Sequence, residues 1–240
     1  MLAPDTVHVW RVGLLGSAQQ VRACWAVLSA DERARARRFV FARDRRRFVV
    51  AHGALRQVLG RYLGRAPRAI EFAVSPRGKP RLSVPGGAVL EFNLAHGGEL
   101  ALIGLAAGRA VGIDVEPVRV LPDGPAVAAH AFSVAERTSL MAASTSAAAT
   151  WAAFFRYWTR KEAILKATGD GLGVPLPRLD VAWSAQTPAR VQPIEVLDLR
   201  GAQHRLGVQD LRPGSGYAAA VAAGGADWRS TFFSWPSALA

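Results

Sequence analysis

Apolar and polar residues alternate from Thr6 to Leu14, through Val7, Val9 and Trp10, and this two-residue period predicts a strand. The spacing then lengthens to that of helices. Ser17 is placed to cap a helix through Val21, Trp25 and Leu28. Ser29 caps a second, with Asp31 and Glu32 in the first turn where the helix dipole favours acids. A third helix, from near Asp44, puts Phe48, Ala51, Leu55, Val58, Leu59 and Tyr62 on one stripe and ends at Gly64 and Pro67.

From Ile70 to Glu116 the pattern breaks into short apolar runs bounded by Gly and Pro. Ile70–Val74, Val89–Leu94, Leu100–Ala106 and Ala110–Val115 read as strands, the last two joined by a tight turn at Ala107–Arg109. A Pro- and Gly-rich linker follows through Pro125. Ser133 and Glu136 stand at capping-box spacing at the head of another helix, Ala142–Thr150 reads as a helix end and loop, and Trp151–Thr168 is a long helix stopping at Gly169. Five more strands are predicted: Leu179–Trp183, Val191–Leu197, His204–Leu211, Tyr217–Ala223 and Trp228–Trp235. Helices followed by strands thus occur twice, which predicts an α+β chain of two halves, residues 1–108 and 109–240, with a ligand cleft between them.

With 240 residues, 50% of them apolar, the chain can bury a substantial core. No run approaches the roughly 18 apolar residues of a membrane span, and Met1–Asp5 lacks the charged start and apolar run of a secretory signal, so a cytoplasmic protein without membrane attachment is expected. A single cysteine, Cys24, excludes an internal disulfide and a thiolate zinc site. The net charge of +12 points to an anionic partner: nucleic acid, phosphate esters or an acidic protein. Drift toward GC-rich codons would leave the same excess, since 27 of the 30 basic residues are Arg. The three lysines that survive, Lys79, Lys161 and Lys166, are therefore candidates for work a guanidinium cannot do.

Asp114 and Glu116 end a strand at i and i+2, hence on one face, and two hard oxygen ligands side by side suit Mg²⁺. An exposed strand end would look the same. Trp158, Glu162 and Lys166 follow at i, i+4 and i+8 on one helix face. They are either an ordinary surface ion pair or a third carboxylate and an ammonium completing a Mg²⁺–diphosphate site. Phe92-Asn93-Leu94-Ala95-His96 ends a strand before two glycines that permit close backbone approach, and Gly78-Lys79-Pro80, preceded by Arg77, fixes a lysine in a turn. Eight arginines lie between Arg33 and Arg47 against one acid, Asp44. Interleaved with Phe39 and Phe41, they form a solvated face, a phosphate clamp or a nucleic-acid patch, and their number does not decide which.

Taken in order, Gly78-Lys79-Pro80, Phe92 to His96, Gly112-Ile113-Asp114-Val115-Glu116 and Trp158 to Ala163 with Lys166 resemble the signature of the 4′-phosphopantetheinyl transferases of the surfactin-synthetase-activating (Sfp-like) type. Arg37-Arg38-Phe39 and Gly169-Asp170-Gly171-Leu172 extend the likeness to roughly residues 29 to 175. The resemblance implies two similar α+β halves in a pseudo-twofold arrangement, and a monomer, because the related single-half synthases must trimerise. It also implies Mg²⁺-dependent transfer of the phosphopantetheine arm of coenzyme A to a serine of an apo acyl or peptidyl carrier protein, releasing adenosine 3′,5′-bisphosphate.

By the same likeness, Asp114, Glu116 and Glu162 hold the metal, and Lys166 meets the coenzyme A diphosphate. Arg35, Lys79, Asn93 and His96 serve the coenzyme A end, with Arg35, Lys79 and His96 at the 3′-phosphate. Glu162 is also implied as base for the carrier serine, directly or through water. Two positions depart from the family: Ala95 replaces a usual Ser, and His52 stands where many relatives carry Arg. An Arg-rich nucleic-acid-binding protein and a metal-dependent phosphohydrolase are the competing readings, and neither predicts the Gly78–Pro80 and His96 segments. Pro117 to Pro122, directly after the metal strand, is a candidate carrier contact through Val118, Arg119, Val120 and Leu121.

Overall fold

A computed structural model describes residues 2–75, 78–83, 90–143, 146–169, 175–183, 190–197 and 201–236. The chain is a mixed α+β protein. Its helices are α1 (Ala18–Val27), α2 (Ala30–Arg37), α3 (Ala42–Leu63), α4 (Gly124–Ala131), α5 (Val134–Ala142) and α6 (Ala147–Thr168). The strands are β1 (Thr6–Gly13), β2 (Phe72–Val74), β3 (Pro80–Leu82), β4 (Leu90–Gly97), β5 (Leu100–Ala107), β6 (Val111–Pro117), β7 (Gln192–Leu197), β8 (Gln203–Leu211), β9 (Tyr217–Gly224) and β10 (Arg229–Trp235). One sheet runs β10-β1-β5-β4, a second β6-β9-β8-β7, and β2 and β3 form a small hairpin.

Local chemistry explains the helix starts. Ser17 with Gln20, Ser29 with Glu32 and Ser133 with Glu136 each form a reciprocal capping box, satisfying backbone N–H groups that a first turn leaves open. Alternation explains the layers. Trp10 and Val12 face a core shared with α1 and α3, whereas Val7 and Val9 join Ile113, Val115, Ala219 and Val221 in a core between the two sheets. Helix α6 covers the far side of the second sheet, packing Phe154 and Ile164 on Ala220 and Ala222.

Five differences from the sequence reading have physical causes. Strand β10, placed by a linear division at 108/109 in the second half, pairs in parallel with β1. It covers the free edge of a strand buried on both sides, and Phe233 stacks on Trp10 with 4.8 Å between ring centroids. The turn at Gly108, with φ of 64°, links β5 to β6, but the two strands belong to different sheets. Leu179–Trp183 is not a strand, because buried side chains take its backbone groups: Glu136 accepts from Val181 N, Arg160 donates to Val181 O and Trp183 O, and Lys161 donates to Leu179 O. Within the expected linker, α4 forms with Pro125 in its first turn, where its missing N–H costs nothing. Helix α6 starts at Ala147, earlier than Trp151, because Ser146 caps it.

Candidate active site

The strand β6 carries Asp114 and Glu116, and α6 carries Glu162 and Lys166. Gly112 brings them together. A Cβ at that position would overlap the Ala163 carbonyl and the Ala167 amide, so the missing side chain is what lets strand and helix backbones touch. Asp114, only 5% exposed, then accepts a 2.6 Å bond on Oδ1 from Lys166 Nζ. Its Oδ2 is buried with no hydrogen-bond partner among the described residues.

Burial raises the Asp114 carboxyl above its usual value, against the pull of Lys166. Glu116 is raised by burial and then by repulsion from Asp114, and Glu162 likewise by burial and then by Asp114. Three carboxylates therefore share one nearby ammonium, with Arg119 reaching Glu116 at 3.8 Å. Such a group is short of positive charge. Among the described residues no three His, Cys, Asp or Glu side chains already surround a common point.

A second region lies in the first half. A cleft of about 780 Å³ is lined by Arg35, Glu32, His52, Phe72, Asn93 and His96 among others. All its lining residues precede residue 97, so this cavity sits within the first half, whereas the sequence reading expects a ligand cleft between the halves. It reaches toward the acids at His96. Partial enclosure lowers the His96 imidazole, and so do the charges of His52, Lys166 and Arg47. The cleft wall is built on Phe48, whose ring carries the Arg35 guanidinium at 5.4 Å and the His52 ring at 4.0 Å. Arg35 is exposed and pairs with no carboxylate among the described residues.

Glu32 anchors this wall. Burial alone would raise its carboxyl, but bonds from His52, the Ser29 N–H and Arg56 bring it down to about 2. Sequence reasoning noted Glu32 only as a first-turn acid. Its i+3 spacing from Ser29 was the available signal, and nothing local announced the bond from Arg56, 24 residues on.

Two expected coenzyme A residues bond across to the second half, Asn93 from the cleft wall and Lys79 from outside it. Asn93 Oδ1 accepts from Ile113 N at 2.9 Å, tying β4 to β6. Lys79 Nζ donates to Val111 O at 3.0 Å and Lys166 O at 2.6 Å, and Lys79 does not line the cleft. Lys161 is structural as well: its ammonium, 1% exposed, meets Glu136 at 2.9 Å and the carbonyls of Leu176 and Leu179. In the arginine run, Arg33 and Arg37 cover Trp25, and Arg43 and Arg47 lie at 3.5 Å from Asp44. In the segment after β6, Arg119, Val120 and Pro122 are exposed, Val120 at 69%. Val118 and Leu121 pack on the second core, and Arg119 turns toward Glu116 and Phe155. Arg77 and Asp170-Gly171-Leu172 lie outside the described residues. A larger groove of about 910 Å³ along β7, β8 and β10 is basic but holds none of the expected site residues.

Comparison with known proteins bears on both regions. Residues 110–222 match the model of the 4′-phosphopantetheinyl transferase superfamily, and residues 16–108 match that of the 4′-phosphopantetheinyl transferase N-terminal region. The chain is 38% identical over 236 residues to the 4′-phosphopantetheinyl transferase HetI of Nostoc sp. (strain PCC 7120), covering 97% of this chain and 93% of that one. It is 31% identical to 4′-phosphopantetheinyl transferase psf-1 of Bacillus pumilus over 66% of this chain and 65% of that one. Against 4′-phosphopantetheinyl transferase Sfp of Bacillus subtilis (strain 168) the identity is 27% over 64% and 66%. With both halves matched and one relative aligned nearly end to end, the chain belongs to the 4′-phosphopantetheinyl transferase superfamily.

Proposed function

We infer that this 4′-phosphopantetheinyl transferase uses Mg²⁺ at the β6–α6 carboxylates, and that it transfers the phosphopantetheine arm of coenzyme A to a carrier-protein serine with release of adenosine 3′,5′-bisphosphate. The observation that carries this reading is the buried, unpartnered Oδ2 of Asp114 beside Lys166. A carboxylate oxygen left unsatisfied in a low-dielectric site is costly unless a cation completes it. Hard oxygen donors fit Mg²⁺, which takes one or two carboxylates and completes its shell with water and substrate phosphates, so no closed cage of three acids is required. Asp114, Glu116 and Glu162 would hold the ion, which supplies charge neutralisation for the diphosphate when bound.

The chain's own residues do the rest. In the transfer, the serine hydroxyl gives its proton, through water, to Glu162 as its oxygen bonds to the phosphorus that carries the pantetheine, and the bridging P–O bond to the nucleotide phosphate breaks. Lys166, already fixed by Asp114, is placed to neutralise the charge that develops on the leaving phosphate. Arg35 supplies a cationic contact and His96 a ring N–H donor in the cleft for the 3′-phosphate, and Phe48 stiffens Arg35 and His52 by stacking. This division gives positioning to the first half and electrostatics to the second. The deciding experiment incubates the protein with coenzyme A, Mg²⁺ and several apo carrier proteins and weighs the carriers. Gain of one phosphopantetheine, abolished by EDTA and restored by Mg²⁺, is expected. Failure on every carrier, or turnover indifferent to EDTA, contradicts the reading.

A further inference from the structure

Lys79 departs furthest from what its motif implies. It sits in a tight loop of the first half: Ser75 N donates to Lys79 O, Lys79 N donates to Ser75 Oγ, and Gly78 takes the positive φ of 85° that the turn requires. From that loop the side chain crosses to the second half and donates to Val111 O and Lys166 O, 32 and 87 residues away. Its stem runs beside Gly169. Val111 opens the strand that carries Asp114. Lys166 lies in the last turn of α6, where carbonyls have no partner within the helix and where a cation is favoured by the dipole. One ammonium thus bonds both elements that make the Lys166–Asp114 pair, next to the close approach at Gly112. A compact ammonium can reach two converging carbonyls that a planar guanidinium fits poorly, which accounts for a lysine in so Arg-rich a chain.

We propose that Lys79 is a positioning residue of the transfer site: it locks the end of α6 to the start of β6 and so sets where Lys166 and Asp114 stand, instead of contacting the 3′-phosphate of coenzyme A. The proposal rests on the transferase reading for its kinetic consequence but not for its geometry. Burial lowers the Lys79 ammonium to about 8, against the pull of Glu91, in keeping with an enclosed group rather than a phosphate ligand open to the cleft.

Lys79→Met keeps the stem and removes the donors. Kinetics with coenzyme A and with dephospho-coenzyme A, which lacks the 3′-phosphate, separate the two roles. The proposal predicts kcat lower by ~10-fold or more, because small misplacements of catalytic groups are costly. It also predicts KM for each substrate within about twofold of wild type. A KM raised about tenfold for coenzyme A alone would place Lys79 on the 3′-phosphate and overturn the proposal; so would unchanged kcat and KM. If Lys79→Met does not fold, as thermal unfolding will show, Lys79→Arg is used under the same criteria. A readout independent of turnover keeps this claim separate from the transferase reading. With three lysines in the chain, ¹³Cε-labelled lysine gives three signals. Loss of Lys79 should shift that of Lys166 and leave that of Lys161 in place; an unmoved Lys166 signal would overturn the proposal even if no carrier is ever loaded.

Discussion

Arg160 and Lys161 stand next to Glu162 in the chain, yet the two sides of α6 treat charge in opposite ways. On one side every charge is answered. Arg160 makes a two-pronged pair with Asp210 at 2.7 and 2.6 Å, and Lys161 meets Glu136, which is 0% exposed and whose other oxygen accepts from Val181 N. On the other side Glu162, Asp114 and Glu116 share Lys166, and a buried oxygen has no partner among the described residues. The first arrangement fixes the fold, holding the extended 179–183 segment in place of a strand. The second leaves a charge deficit that a bound cation would fill on the proposed reading, and the difference would then separate structural from functional acids in one helix.

The sharpest way to break this contrast is to remove one lysine from each side. Lys161→Met leaves Glu136 buried without its cation and should cost ~3–5 kcal/mol in denaturant unfolding, with turnover per folded molecule retained. Lys166→Met should lower kcat by ~10²–10³ and cost less stability than Lys161→Met, because the Asp114 carboxyl, already raised by burial, can take up a proton once its partner is gone. If both variants lose stability alike, the two sides do not differ in kind.

Glu32 extends the contrast to the first half. Its carboxyl, held at about 2 in the folded chain, lies below its unfolded value, so its stabilisation is complete above the ordinary carboxylate range and fades as pH falls toward 2. The loss is on the order of 3 kcal/mol. Urea midpoints of wild type and Glu32→Gln should therefore differ near neutral pH and converge in acid; a constant gap would show that Glu32 is not the anchor of the cleft wall.

Arg35→Ala comes next in size. It should raise KM for coenzyme A by ~10-fold and barely change kcat, an effect blunted with dephospho-coenzyme A. An equal loss on both substrates would move Arg35 away from the 3′-phosphate. The smallest effect concerns the carboxylates of β6 and α6. Their folded values are raised by burial, so in metal-free protein stability should decline as pH rises from the ordinary carboxylate range through those raised values. Asp114→Asn should flatten that decline, and an unaltered slope would show Asp114 carrying no such penalty.

Much of this was legible in the sequence because it is local. Capping serines, the alternation of β1 and the i, i+2 placement of Asp114 and Glu116 all follow from near neighbours. The Asp114–Lys166 pair was legible too, through motif order, although Gly112, whose bareness makes the contact possible, carried no mark of its own. What was hidden depends on partners far along the chain. Strand β10 reads as a continuation of the second half until β1 supplies its edge, and 179–183 has strand composition while Arg160, Lys161 and Glu136 claim its backbone. Lys79 and Asn93 sit in the expected motifs, but their bonds to Val111, Lys166 and Ile113 join elements that no local pattern connects.

The most direct test of the charge deficit is calorimetric titration of Mg²⁺ into the coenzyme A-bound protein and into its Asp114→Asn variant at the same pH. The account predicts saturable binding at a single site in wild type and at least ~10-fold weaker binding in the variant, with coenzyme A affinity little changed. Equal Mg²⁺ affinity in the two proteins would contradict it.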